Sequence, residues 1–146
     1  MTACNRTALL GSSLGRKKIV ADFAGGDLTS DAGLAQLRKV NRRIGLVDTL
    51  NAALHDPRDA DLIEHDQRTL LAQRLFALAA GYEDLDDHAT LRTDPLWQTL
   101  TDRRLKPGQV ESDPLASTPT LCRLENRVTR KDLVRLAAVL VEASVG

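Results

Sequence analysis

The chain has 146 residues, with 20 basic side chains against 20 acidic ones, and 42% apolar residues of which few are aromatic (3%). Such a length fits one domain, or part of a larger protein, with a modest core that Leu, Ala, Val and Ile must fill, which favours packed helices. No apolar run approaches the roughly 20 residues of a membrane span and the start lacks a secretory apolar stretch, while Cys4 and Cys122 lie too far apart in sequence to suggest a disulfide scaffold or a zinc cage; the expectation is a cytoplasmic protein with two free thiols.

Residues 1–18 contain Gly11, Ser12, Ser13 and Gly15 without periodicity and read as a mobile leader. Ile19 to Phe23 can form a short strand, ended by Gly25-Gly26, although no partner strand is obvious. Thr29, Ser30 or Asp31 can cap a helix in which Leu34, Leu37, Val40 and Ile44 share one face and Lys39, Arg42 and Arg43 point the other way. Gly45 is its natural stop. Leu46, Val47, Leu50 and Leu54 continue as a second short helix, closed by His55-Asp56-Pro57.

The longest periodic segment, from Asp61 to Ala80, predicts a central helix with Leu71, Leu75, Leu78 and Ala79 inward and Gly81 as its C-terminal cap. Glu83 to Leu91 can add a turn or two, and Asp94-Pro95 reads as a cap followed by proline at the first helical position, before inward Leu96, Trp97 and Leu100. Pro107, Gly108 and Pro114 mark 102–117 as a loop or linker. Ser117 or Thr118, with Pro119, then starts a helix carrying Leu121, Leu124 and Val128 on one side and Arg123 and Arg127 on the other. Thr129 and Asp132 form a capping-box variant for a last helix with Leu133, Leu136, Ala137, Leu140 and Val141 inward. The expected fold is mainly α, about six helices with at most one short N-terminal β-strand. Its organisation would be a leader (1–18), a helical region (19–101), a linker (102–117) and a C-terminal helical pair (118–146) of helix-turn-helix type.

Two groups of residues invite a chemical reading. Glu83, Asp84, Asp86, Asp87, His88 and Asp94 are dense in acid, and on a continuous helix Asp84 and His88 would share a face; two ligands are too few for a metal site. The acids read instead as helix-start residues, with Arg92 paired to an acid such as Asp87. His55 and His65 have no metal-ligand spacing and read as surface residues, and Gly25-Gly26 lacks the spacing of a phosphate-binding loop. The second group is basic: Lys39, Arg42 and Arg43 in one cluster and Arg123, Arg127, Arg130 and Lys131 in another. Zero net charge does not exclude DNA, because counterion displacement needs only a local basic surface, and the arginine fork suits phosphate or guanine. A solvated basic face is the plainer alternative.

Three stretches together carry a family resemblance. They are Ala21-Asp22-Phe23-Ala24-Gly25-Gly26-Asp27-Leu28-Thr29-Ser30-Asp31-Ala32-Gly33, then Gly81-Tyr82-Glu83-Asp84-Leu85-Asp86-Asp87-His88-Ala89-Thr90-Leu91-Arg92-Thr93-Asp94-Pro95, then Thr118-Pro119-Thr120-Leu121-Cys122-Arg123-Leu124-Glu125-Asn126. In this order they resemble the amino-terminal part of bacterial insertion-sequence transposases of the DDE group 1 family, from Ile19 to about Val145, with Ala24, Ala80 and Ala89 as minor departures. The resemblance implies magnesium- or manganese-dependent cleavage and strand transfer by three separated carboxylates, the first in a strand of an RNase H-like sheet beyond the resembling region. No apolar strand with an acid follows the last helix in this sequence, so no catalytic residue, metal ligand or cofactor is assigned to it. The implied role is binding of double-stranded element-end DNA. The alternative is a helical interaction module that docks on the catalytic domain or on another copy, without contact to DNA.

Overall fold

Local signals set the helix ends in this computed structural model, which describes residues 9–10, 20–21, 31–102 and 114–145. Gly45 and Gly81 adopt left-handed backbone (φ 68° and 91°) and close α1 (Leu34–Ile44) and α3 (Gln67–Ala80). Any other residue would be strained there, because a Cβ crowds the following carbonyl. Between them lie α2 (Leu46–Ala53) and one 3-10 turn (Ala60–Leu62). The expected start of the central helix at Asp61 therefore moves to Gln67, where the Asp66 carboxylate accepts the Thr69 amide.

After α3 come α4 (His88–Leu91) and α5 (Pro95–Leu100), the latter opened by the Asp94 side chain accepting the Leu96 and Trp97 amides, with Pro95 in its first turn. α6 (Thr118–Arg127) and α7 (Arg130–Val145) complete a mainly α architecture. The capping box before α7 forms as its sequence implies: the Thr129 amide and hydroxyl both donate to Asp132 Oδ2, at 3.0 and 2.6 Å. Of the expected N-terminal strand the described residues include Val20–Ala21 (β2), and its partner is Leu9–Leu10 (β1), antiparallel, within the stretch read as a leader. The remaining leader, the Gly25-Gly26 turn, the caps at Thr29 and Ser30, Cys4, Pro107 and Gly108 fall outside the described residues.

α3 is the axis of the core, packed by α1, α2, α5 and α6. Leu34, Val47, Ala72, Phe76, Ala77, Leu91, Trp97, Leu100 and Leu115 are buried together on one side, and Leu70, Ala116, Leu121 and Leu124 on another. With neighbours on several sides, α3 buries a broad arc that takes in Leu70 and Gln73, while Leu78 and Ala79, expected inside, are exposed. A similar rotation affects α1: Val40 and Ile44 face solvent, and the buried positions after Leu34 are Arg38 and Asn41. Asn41 belongs inside because its Oδ1 accepts the Val47 amide at 2.9 Å, so a side chain of α1 satisfies a donor in the first turn of α2. α7 departs furthest from expectation. Its principal neighbour is α2, so Leu136 and Val139 are half-buried while Leu133, Ala137, Leu140 and Val141 are exposed.

Candidate functional site

The three stretches that carry the family resemblance meet in space. Asp31, from the first, accepts hydrogen bonds from the Tyr82 hydroxyl (3.1 Å to Oδ2) and from Trp97 Nε1 (3.1 Å). Tyr82 and Trp97 also meet edge to face, with ring centroids 5.9 Å apart, a favoured aromatic geometry. One carboxylate thus joins the entry to α1, the exit from α3 and the wholly buried Trp97 of α5.

The second stretch is joined to the third and to the chain that leads into it. Leu115 donates its amide to Arg92 O at 2.9 Å, and Arg92 Nε donates back to Leu115 O at 3.2 Å. Thr118 Oγ1 donates to Leu85 O at 3.0 Å. Gln73 reaches across from α3: its Oε1 accepts the Ala116 amide (3.1 Å), and its Nε2 donates to Ala116 O (3.0 Å) and lies 3.1 Å from His88 Nδ1. Because the Gln73 amide nitrogen only donates, His88 Nδ1 is the acceptor, which places the ring proton on Nε2. Nε2 is buried with no hydrogen-bond partner. Burial, reinforced by the Arg74 charge, holds the His88 pKa below its ordinary value, which favours the neutral ring.

This arrangement disposes of a shared Asp84–His88 metal face. Asp84 is exposed ahead of α4 and accepts the Asp86 amide in a turn, whereas His88 is fully buried against Gln73. Glu83, Asp86 and Asp87 are exposed as well. Arg92 pairs with the Leu115 carbonyl rather than with Asp87, because the extended chain at 114–117 runs alongside it. The end of the stretch read as a linker is therefore packed chain, with Leu115 and Ala116 wholly buried. Among the described residues no group of three His, Cys, Asp or Glu side chains is placed to hold a metal ion. His65, read as a surface residue, is buried at the start of the central helix, and Cys122 is an exposed free thiol.

The family model described as "Transposase DDE domain group 1" matches residues 11–145. The chain belongs to this transposase family. No curated protein and no solved structure matches it. In this transposase chain the acid-rich stretch is thus part of a structural junction that closes α3, α4 and the 114–118 segment onto one another.

The basic residues divide into free and committed groups. Lys39 and Arg43 are exposed on α1, but Arg42 donates to Asp102 Oδ1 at 3.0 Å. Arg38, only 4% exposed, contacts the same carboxylate oxygen, and its Nε and Nη1 have no hydrogen-bond partner. Asp102 holds this position with a positive φ of 55°, a conformation that costs a non-glycine residue on the order of 1 kcal/mol.

Near the other end, Arg123, Arg130 and Lys131 are exposed around the α6–α7 turn. Arg127 does not share a solvent face with Arg123: its Nη1 lies 3.3 Å from Asp56 Oδ1, and its Nη2 donates to Gln67 Oε1 at 2.9 Å. The reason is a polar cluster that the sequence reading missed. Arg58 grips Asp56 through Nε and Nη2 and donates to His65 O, while Gln67 Nε2 donates to Leu54 O at 3.0 Å. The paired arginines hold the Asp56 carboxyl below its ordinary pKa, the Arg58 hydrogen bond contributing most. The adjacency of Asp56 and Arg58 was the only sequence signal for this cluster, since its other side chains, Gln67 and Arg127, come from α3 and α6.

Proposed function

We propose that this chain contributes to DNA transposition by binding double-stranded DNA at the ends of its element, and that the magnesium- or manganese-dependent cutting is carried by acids other than those described above. The observation that supports this reading is the set of exposed, uncommitted cations Arg123, Arg130 and Lys131 around the α6–α7 turn, with Lys39 and Arg43 on α1 as a second basic surface. Arg42 and Arg127 serve the fold through Asp102 and Asp56 and contribute to the field rather than to direct contact.

A titration of the protein against the element's terminal repeat, over a salt series, tests the proposal. Each phosphate neutralised adds about 0.9 to the slope of log K against log salt. Three to five contacts therefore predict a slope of roughly −2.7 to −4.5, with tighter binding to the repeat than to a scrambled duplex. Equal affinity for both duplexes refutes end recognition, and a slope near zero refutes phosphate contact.

A second reading, a helical interaction module that binds no DNA, is favoured by the apolar residues that α7 leaves exposed.

A further inference from the structure

Gln73, His88 and Ala116 are wholly buried, and the orientation of the Gln73 amide among them is fixed. The Ala116 N–H can only donate, so it faces Gln73 Oε1, at 3.1 Å. Gln73 Nε2 then lies 3.0 Å from Ala116 O and 3.1 Å from His88 Nδ1, with both of its hydrogens committed to acceptors. A proton added to Nδ1 sets donor against donor. Turning the amide over to meet it would place Gln73 Oε1 against Ala116 O, and Nε2 against the Ala116 N–H. The clasp on Ala116 is therefore compatible with the His88 ring at its side only while Nδ1 is bare.

The surroundings of the ring offer little to an added charge. Nε2 already carries a hydrogen and, among the described residues, has no hydrogen-bond partner. The charged groups that bear on the ring are Arg74 of α3, Asp87 beside it in the chain and Glu125 of α6. Arg74 repels an imidazolium, and Glu125 is already engaged by Arg74 Nε at 2.6 Å. Residues 114–118 bring no charge. Solvent, by contrast, is close along the chain: Glu83, Asp84, Asp86 and Asp87 are all exposed in the stretch that leads into α4. A ring that swings outward there exchanges facing donors for water and carboxylates.

We propose that His88 is a proton-operated latch on the junction between α3, α4 and α6: protonation drives the ring out toward the acids at 83–87, and the chain at 115–118 loosens from α3. Two contacts make the release spread. The departing ring leaves a void that admits water to the Gln73–Ala116 pair, and it disturbs the turn whose Leu85 O holds Thr118 Oγ1 at the start of α6. Burial holds the closed ring below the ordinary histidine value of about 6.5, whereas the released ring titrates near it. The closed form is therefore favoured in full above about pH 6.5, and the open-to-closed ratio rises about tenfold per pH unit below that, until the lower closed value is passed. The latch is independent of the DNA contact proposed above, and its test contains no DNA.

Hydrogen exchange of the Ala116 amide, followed by NMR on the full isotope-labelled chain from about pH 7.5 to about pH 5, tests the latch. After correction for the intrinsic rate at each pH, protection of Ala116 is expected to fall by about tenfold per unit below about pH 6.5. A urea series separates local release from global unfolding. Opening of the latch exposes little surface, so this exchange should change little with denaturant, while exchange through unfolding quickens with it. His88→Leu keeps the site filled and dry, and should leave Ala116 protection indifferent to pH. Ala116 protection that stays constant across the pH range, a loss that carries the full urea dependence of the most protected core amides, or the same pH dependence in His88→Leu overturns the proposal. Should that variant fail to fold, the pH and urea dependences of the unmodified chain decide.

Discussion

Replacing Gln73 by methionine removes the clasp between α3 and the chain entering α6 while changing side-chain size little. Gln73 is wholly buried, and its amide satisfies both backbone groups of Ala116 together with His88 Nδ1. Methionine fills much the same volume, so a large cavity does not form. It leaves the Ala116 N–H, the Ala116 C=O and the His88 ring nitrogen buried without partners. Each such group costs about 1–3 kcal/mol, partly offset because the new side chain has no amide of its own to desolvate. The net loss should be about 3 kcal/mol, a substantial share of the roughly 5–15 kcal/mol that holds a typical domain together. With a urea dependence of about 2 kcal/mol per molar, the unfolding midpoint should fall by roughly 1.5 M. Urea titration followed by Trp97 fluorescence measures this directly. A midpoint shift below about 0.3 M at unchanged slope would show that the clasp contributes nothing, and would refute the closing of α3 and α4 onto the 114–118 segment through Gln73.

Three further outcomes follow from the same contacts. Asp31→Ala should cost about 3 kcal/mol, because Tyr82 and Trp97 each lose a bond to a charged acceptor, and it should red-shift Trp97 emission; unchanged emission and stability would exclude that role. Because His88 is held neutral by burial, the unfolded chain takes up its proton more readily. Stability should therefore fall as pH drops below about 6.5 and level off below the lower folded value. Comparing urea midpoints at pH 7.5 and 5.5, His88→Leu should remove most of this slope, and a variant with the full slope would assign it elsewhere. Arg127→Ala should lower stability by about 1–3 kcal/mol by stripping Asp56 and Gln67 of a shared partner, whereas exposed Arg123→Ala should stay within about 0.5 kcal/mol and weaken DNA binding instead. Equal stability losses in the two variants would contradict the division between committed and free arginines.

The contrast between Arg123 and Arg127 shows where local reasoning stops. Four residues apart on α6, they belong near one another by helix geometry, and both were read as solvent-facing. Arg127 is diverted because Asp56 and Gln67 lie within its reach, a fact that depends on how the chain between α2 and α3 is placed against α6. Asp84 and His88 illustrate the same limit. Placing them on one face required a helix through both, but α4 begins only at His88, and that ring is drawn inward by Gln73. Neither Gln73 nor Arg38 carried a signal of its own, since polar residues inside helices are usually exposed and become core only when a partner is buried with them.

By itself the sequence determined what is local: a mainly helical chain, family membership from three ordered stretches, and helix ends at Gly45, Gly81, Asp94-Pro95 and Thr129–Asp132. Each of those ends is set by the conformational range of one residue or by a capping bond a few residues long. Tertiary structure alone decided which arc of each helix is covered. Apolar periodicity describes a stripe, but burial depends on what crosses it. α3, packed on several sides, encloses a glutamine, while α7, whose principal neighbour is α2, leaves Leu133 and Leu140 in water.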